Sequence, residues 1–233
     1  MTTANLSNHR KEVIEATQQL VATGIMTKSL HGNISMRVPG QDAFLLTAGG
    51  SLATMQPENV ALFALDGTLI EGTVAPVGAE IIQMHGIVYR KRPDFHSVVH
   101  THSPFATGFA VAGKSIPGAY EALVRNGMVD GVPLAGYGPR GSDESINNIA
   151  GVLDSYDSIK GLLLENHGVL TFAESLGGAI RANMTVEEAA EITLYAYGLG
   201  GPKPIPSHKV AETRERAAQF AAAGSLTADA PKG

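Results

Sequence analysis

The chain has 233 residues, a formal net charge of −5, 44% hydrophobic and 17% charged residues, 27 glycines and no cysteine. That length suits one large domain with a sizeable core, and the acidic balance argues against nucleic acid as a partner. Without cysteine there is neither a disulfide framework nor a thiolate metal site, so a bound metal must be held by nitrogen and oxygen.

The first residues, Met1 to Leu6, lack the basic and apolar regions of a signal peptide. No apolar run reaches the ~18 residues of a membrane span, so the expected location is cytoplasmic, with no membrane partner. Ser7 or Asn8 is placed to cap a first helix in which Val13, Ala16, Leu20 and Val21 form an apolar stripe ending near Gly24. Residues 33–38, 43–47 and 60–65 read as strands, with Asp66-Gly67 turning a hairpin into residues 68–70. From Gly78 to Arg92 the spacing of Ile81, Ile82, His85, Val88 and Tyr89 is helical, and Pro93-Asp94 ends it. Ser103 at a cap and Pro104 at a first helical position start another helix running to about Ala112. Ser142 opens a helix to Leu153. Strands are expected at 161–165 and 169–172, followed by a long helix capped by Ser175 and reaching about Tyr197. The Gly200-to-Pro204 break sets off an amphipathic helix at about 208–222 and an Ala/Gly-rich tail. Residues 1–200 are therefore expected to form the main domain, and 201–233 a helical extension and tail.

The candidate chemistry is in Val98-Val99-His100-Thr101-His102. Two valines leading into His-x-His read as a strand, where residues two apart share a face, so both imidazoles can reach one ion. Taken alone this pair is a weak signal, because hydrogen-bonded histidines are common in cores. A third histidine, His167, sits in Glu165-Asn166-His167-Gly168 between two expected strands.

The order of His31-Gly32-Asn33-Ile34-Ser35, Leu46-Thr47-Ala48-Gly49-Gly50, His85-x-x-x-Tyr89-x-x-Arg92-Pro93-Asp94, Val98 to His102 and Glu165 to Leu170 resembles the class II aldolase/adducin family. The resemblance spans about residues 6–198. It implies an α/β/α sandwich around a mostly antiparallel sheet, assembled as a homotetramer with active sites between subunits. It further implies that His100, His102 and His167 ligate one divalent ion, usually zinc and sometimes manganese or another metal. Three protein ligands leave coordination positions open for a small-molecule substrate, where Lewis-acid polarisation stabilises an enediolate.

Two positions depart from the family pattern. The sugar-phosphate members carry an acid four residues before the histidine equivalent to His85, and this chain has Ile81 there, with Glu80 one place earlier. Glu80 is nevertheless a candidate catalytic group. The phosphate-binding serines are replaced by Ala79 and Glu80, and a carboxylate there would repel a phosphate, so a non-phosphorylated substrate is expected. Asn33, Thr47, Gly49 and Gly50 are candidate substrate binders, because glycine turns can aim backbone amides into a concavity. Tyr120 is a candidate proton donor, one residue short of the family's tyrosine. Glu121 and Arg125 are candidate substrate contacts, Glu165 could orient His167, and Arg140 offers paired donors for a carboxylate but reads more readily as a solvated surface group.

The leading expectation is a metal-dependent lyase that breaks a carbon-carbon bond by aldol cleavage or decarboxylation. The alternatives are a sugar-phosphate aldolase or 4-epimerase, an adducin-like scaffold without chemistry, and an Fe(II)-dependent oxygenase.

Overall fold

A computed structural model of the chain describes residues 3–48, 50–75 and 78–223. In order, the elements are α1 (Thr3–Ala22), β1 (Gly32–Arg37), β2 (Ala43–Thr47), β3 (Val60–Ala64), β4 (Leu69–Glu71), α2 (Ala79–Lys91), β5 (Ser97–Thr101), α3 (Pro104–Val111) and α4 (Glu121–Arg125). They continue with β6 (Leu134–Ala135), α5 (Asp143–Ser155), β7 (Gly161–Leu164), β8 (Gly168–Ala173), α6 (Leu176–Gly198) and α7 (Ser207–Ala223). The strands form one sheet in the order β4-β3-β2-β1-β5-β8-β7-β6. Six neighbouring pairs are antiparallel, and the short β6 joins β7 in parallel, so the sheet is mixed.

Strand alternation sorts side chains into two cores. Phe44, Phe63, Val98, Leu162, Leu170 and Phe172 face α2 and α5, where Ile81, Val88, Ile149 and Leu153 meet them. Their sequence neighbours Leu45 and Val99 face the opposite way, against Val13 and Leu20 of α1 and Ile180 of α6. Farther along that second face, Leu163 and Val169 pack with Phe109 of α3 and Val186 of α6. Each fully buried side chain of this size contributes roughly 1.5–3 kcal/mol relative to exposure, so the sheet is held from both sides. The result is the expected α/β/α sandwich.

Helix starts differ from expectation in two places. Ser7 and Asn8 lie inside α1, because Leu6 continues the apolar stripe and packs against the core beside Val13 and Leu20. Ser103 precedes α3, and Pro104 occupies its first position, but the serine hydroxyl makes no cap bond. The buried carboxylate of Glu187 on α6 instead accepts from the Phe105 and Ala106 amides at 2.9 and 2.8 Å. Ser103 Oγ turns to Asn183 Oδ1 at 3.1 Å. The expected caps at Ser142 and Ser175 are present, accepting from the amides of Ser145 and Gly178, each at 3.2 Å.

Candidate metal centre

The three histidines of the sequence pattern meet at one end of the central sheet. His100 stands on β5 two residues beyond Val98, on the face covered by α2, and His102 follows one residue past the strand's end. β8 is the antiparallel neighbour of β5, pairing Leu170 with His100 and Val169 with Thr101. The turn before β8 therefore lands beside both imidazoles and presents His167. Asn166 supplies the left-handed residue of that turn at φ 57°, a conformation asparagine tolerates better than most residues. Gly168 is required by close approach. A Cβ there would lie 2.6 Å from the Thr101 carbonyl oxygen, 2.9 Å from His102 Cδ2 and 3.2 Å from His100 Cε1.

The ring centroids are 4.7–5.2 Å apart, and one ligand nitrogen from each ring lies within 4.8 Å of the others. His100 Nδ1 is 2.9 Å from the Val169 carbonyl, which can only accept, so the proton sits on Nδ1 and the Nε2 lone pair is free. His102 Nε2 is buried and has no hydrogen-bond partner among the described residues, a costly state for a polar atom unless a ligand completes it. Burial holds all three rings below the usual imidazole range. His100 lies well below it, with His167 and His102 adding to the effect, and His167 is lowered to about 4. His102 is lowered by burial and then by Arg140 and His31. Three neutral imidazoles brought together in this way fit a divalent ion and leave room for further ligands.

A cavity of about 280 Å³ opens over this cluster, lined by the three histidines together with His31, Gly32, Asn33, Gly50, Gly78, Ile81 and Arg140. Asn33 and Gly50 are thus brought to the site. Thr47 is buried away from the cavity, its hydroxyl accepting from the Ile34 amide at 3.1 Å. Gly49 lies outside the described residues. Glu80 pairs through Oε2 with Arg140 Nε at 3.2 Å, while Ile81 takes the place on the cavity wall. Glu165 reaches the Tyr137 amide at 2.7 Å, and so tethers the segment carrying Arg140 rather than bonding to His167.

Tyr120 is not brought to the cavity. Its hydroxyl donates to Glu188 at 3.2 Å, and it lines an exterior groove with Glu121 and Arg125 that runs toward α7. Arg140 and His31 are the cavity residues whose place sequence reasoning did not fix. His31 is marked in the sequence only by its place in a motif, and Arg140 only by its paired donors and the Gly-Pro turn before it.

Sheet order, helical layers and a three-imidazole cluster at a strand end together define an α/β/α protein of aldolase type with a candidate metal site. The description "Class II Aldolase and Adducin N-terminal domain" matches residues 11–194, and the chain belongs to that family. It is 29% identical over 207 residues to a 5-deoxy-D-ribulose 1-phosphate aldolase of Bacillus thuringiensis serovar kurstaki, covering 88% of this chain and 93% of that one. A 5-methylthioribulose-1-phosphate/5-deoxyribulose-1-phosphate aldolase of Rhodospirillum rubrum is 27% identical over 208 residues, covering 89% and 90%. Among solved structures, an L-fuculose 1-phosphate aldolase superposes with a TM-score of 0.80 at 25% identity, covering 93% of this chain and 97% of that one.

Proposed function

We propose that the protein is a divalent-metal-dependent aldolase that cleaves a short ketose 1-phosphate, with zinc as the preferred ion and manganese as the alternative. The observation that carries this reading is the convergence of His100, His102 and His167, with the buried Nε2 of His102 lacking a partner among the described residues, under a cavity open to a small molecule. His100, His102 and His167 would hold the ion. When bound, it supplies Lewis-acid polarisation of the substrate carbonyl and so lowers the cost of breaking the adjacent carbon-carbon bond.

This reading replaces the expectation of a non-phosphorylated substrate. It rested on Ala79 and Glu80 standing where the family has phosphate-binding serines, with the Glu80 carboxylate repelling a phosphate, but Glu80 is engaged by Arg140, which lines the cavity. A cation in that position attracts an anion, and the relatives are sugar-phosphate aldolases by name. Asn33 and the Gly50 turn contribute donors on the cavity wall. Glu80, paired with Arg140 beside the cavity, is assigned the proton taken from the substrate hydroxyl as the carbon-carbon bond breaks and returned to the carbon left with the electron pair. Tyr120, on the protomer's exterior, is assigned to the cavity of a neighbouring copy in a homo-oligomer. Leu194 and Tyr197 of α6, about half exposed beside an apolar groove that includes Phe105 and Phe109, support such assembly.

Purified protein should contain about one zinc or manganese per chain and cleave 5-deoxyribulose 1-phosphate or fuculose 1-phosphate, releasing glycerone phosphate. Chelation should abolish turnover, and added zinc should restore it. His102→Ala should lower both metal content and kcat/KM by at least a hundredfold. Full turnover by metal-free protein would sink the proposal.

A further inference from the structure

A buried polar chain runs from α2 to the cavity wall, and the metal cluster makes no use of it. His85 and Tyr89 are one helical turn apart on α2 and fully buried, facing Ser35 and Asn33 on β1. Tyr89 Oη and Ser35 Oγ are 2.7 Å apart, Ser35 Oγ and His85 Nδ1 are 2.7 Å apart, and His85 Nε2 and Asn33 Oδ1 are 2.6 Å apart. The Asn33 amide oxygen has no proton to give, so His85 Nε2 donates to it. Nδ1 of the neutral ring then accepts from the Ser35 hydroxyl. Having given its one proton, Ser35 accepts from Tyr89. With Asn33 Oδ1 on the His85 side, every proton in the chain has one place.

This order determines what Asn33 shows to the cavity it shares with the three histidines. Its carbonyl is turned inward to His85, and no acceptor among the described residues takes Nδ2, so its N–H bonds are offered to a ligand. Rotating the amide by half a turn would set donor against donor at Nε2 and leave the inward N–H groups without an acceptor. Asn33 pairs in register with His100, so this donor pair is presented beside the ion's ligand set. Burial keeps the His85 ring neutral down to about pH 3, so the order of protons holds across the working range.

We infer that Tyr89, Ser35 and His85 form a positioning relay that locks the Asn33 amide as a donor toward the cavity, tuning it to an anionic oxygen group of the substrate such as a phosphoryl. The inference rests on the proposed aldolase reading for its substrate, but it can be tested without turnover. A pair of variants isolates the relay, because both remove the imidazole and only one retains a donor at the Nε2 position. His85→Gln keeps that donor, whereas His85→Asn keeps only a group near Nδ1.

On zinc-loaded protein, His85→Asn should weaken inorganic phosphate binding at least tenfold by calorimetry. It should raise KM for the ketose phosphate by a similar factor, change kcat less than threefold, and leave zinc at one per chain. His85→Gln should return phosphate binding to within threefold of the parent. In an Asn33→Ala background, His85→Asn should add no further loss, since its effect passes through Asn33. Equal losses in the Gln and Asn variants, additive losses in the Asn33→Ala background, or loss of zinc from His85→Asn would each overturn the relay. If His85→Asn does not fold, Ser35→Ala with a melting-temperature control takes its place, and unchanged phosphate affinity would count against the proposal. A parent protein that binds phosphate but cleaves no ketose phosphate defeats the aldolase reading and leaves the relay standing. A zinc-loaded parent with no phosphate affinity overturns the relay's assigned ligand.

Discussion

At the scale of single residues, the site depends on one missing methyl group as much as on its imidazoles. Gly168 lets the turn close over His100 and His102, and a Cβ there would press on the Thr101 carbonyl and both rings. Backbone at 2.6 Å cannot rotate away as a flexible side chain would. Gly168→Ala should therefore displace His167 from the cluster. Zinc affinity measured by competition with a chromophoric chelator should fall at least tenfold, with the far-UV circular dichroism unchanged. Equal zinc affinity in parent and variant would show that the turn has slack. The histidines themselves were legible, since His-x-His after two valines fixes a shared strand face. The partner of Glu80 was not. Arg140 lies sixty residues away, and no periodicity reports which distant cation will claim a helix-end carboxylate.

Among the elements, the start of α3 shows where local sequence rules stop applying. Ser103-Pro104 has the composition of a helix start, and the helix does begin there, but tertiary structure supplies the cap through Glu187 of α6. A carboxylate can accept both amides, while the serine hydroxyl is drawn to Asn183 in the same buried cluster. Glu187→Gln keeps one acceptor and turns an N–H toward the second amide, which costs about 1–3 kcal/mol when a buried donor is left unpaired. Each kcal/mol should lower the melting temperature by about 2–4 °C in a chain of this size. A variant melting at or above the parent temperature would show that the two amides find another acceptor. Strand positions were readable because β1, β2, β5, β7 and β8 bury opposite faces in strict alternation, and the Asp66-Gly67 turn marks its own hairpin. The two-residue β6 carries too little pattern to read, and it exists through its pairing with β7.

For the molecule as a whole, the buried imidazoles couple folding to acidity. His85 is lowered from 6.5 to about 3 and His167 from 6.5 to about 4, in both cases chiefly by burial. In the unfolded chain these rings take up protons near pH 6.5, whereas in the folded chain they do not until much lower pH. The stability they contribute is therefore fully present above about pH 6.5 and lost as pH falls through the folded values. Each ring contributes a slope of about 1.4 kcal/mol per pH unit within that window. Urea midpoints of metal-free protein should be level from pH 8 to 7 and then fall toward pH 5, and the slope should be shallower in His85→Gln. A midpoint that rises on acidification would contradict this assignment. Zinc should offset part of the loss near neutrality by binding the folded state alone, and less so in acid, where protons compete for the same lone pairs.

The pairing of β5 with β8 has a further consequence in time. His100 and its acceptor Val169 are 69 residues apart, and the hairpin bearing His167 joins the centre of the sheet only when that ladder forms. Contacts at such separation carry a large loop-closure entropy and form late in folding. Assembly of all three imidazoles thus has to wait for the sheet to close. In a refolding experiment, the appearance of tight zinc binding would act as a clock for the central ladder, and a nascent chain that has not yet made β8 would have no complete site in which to trap an ion.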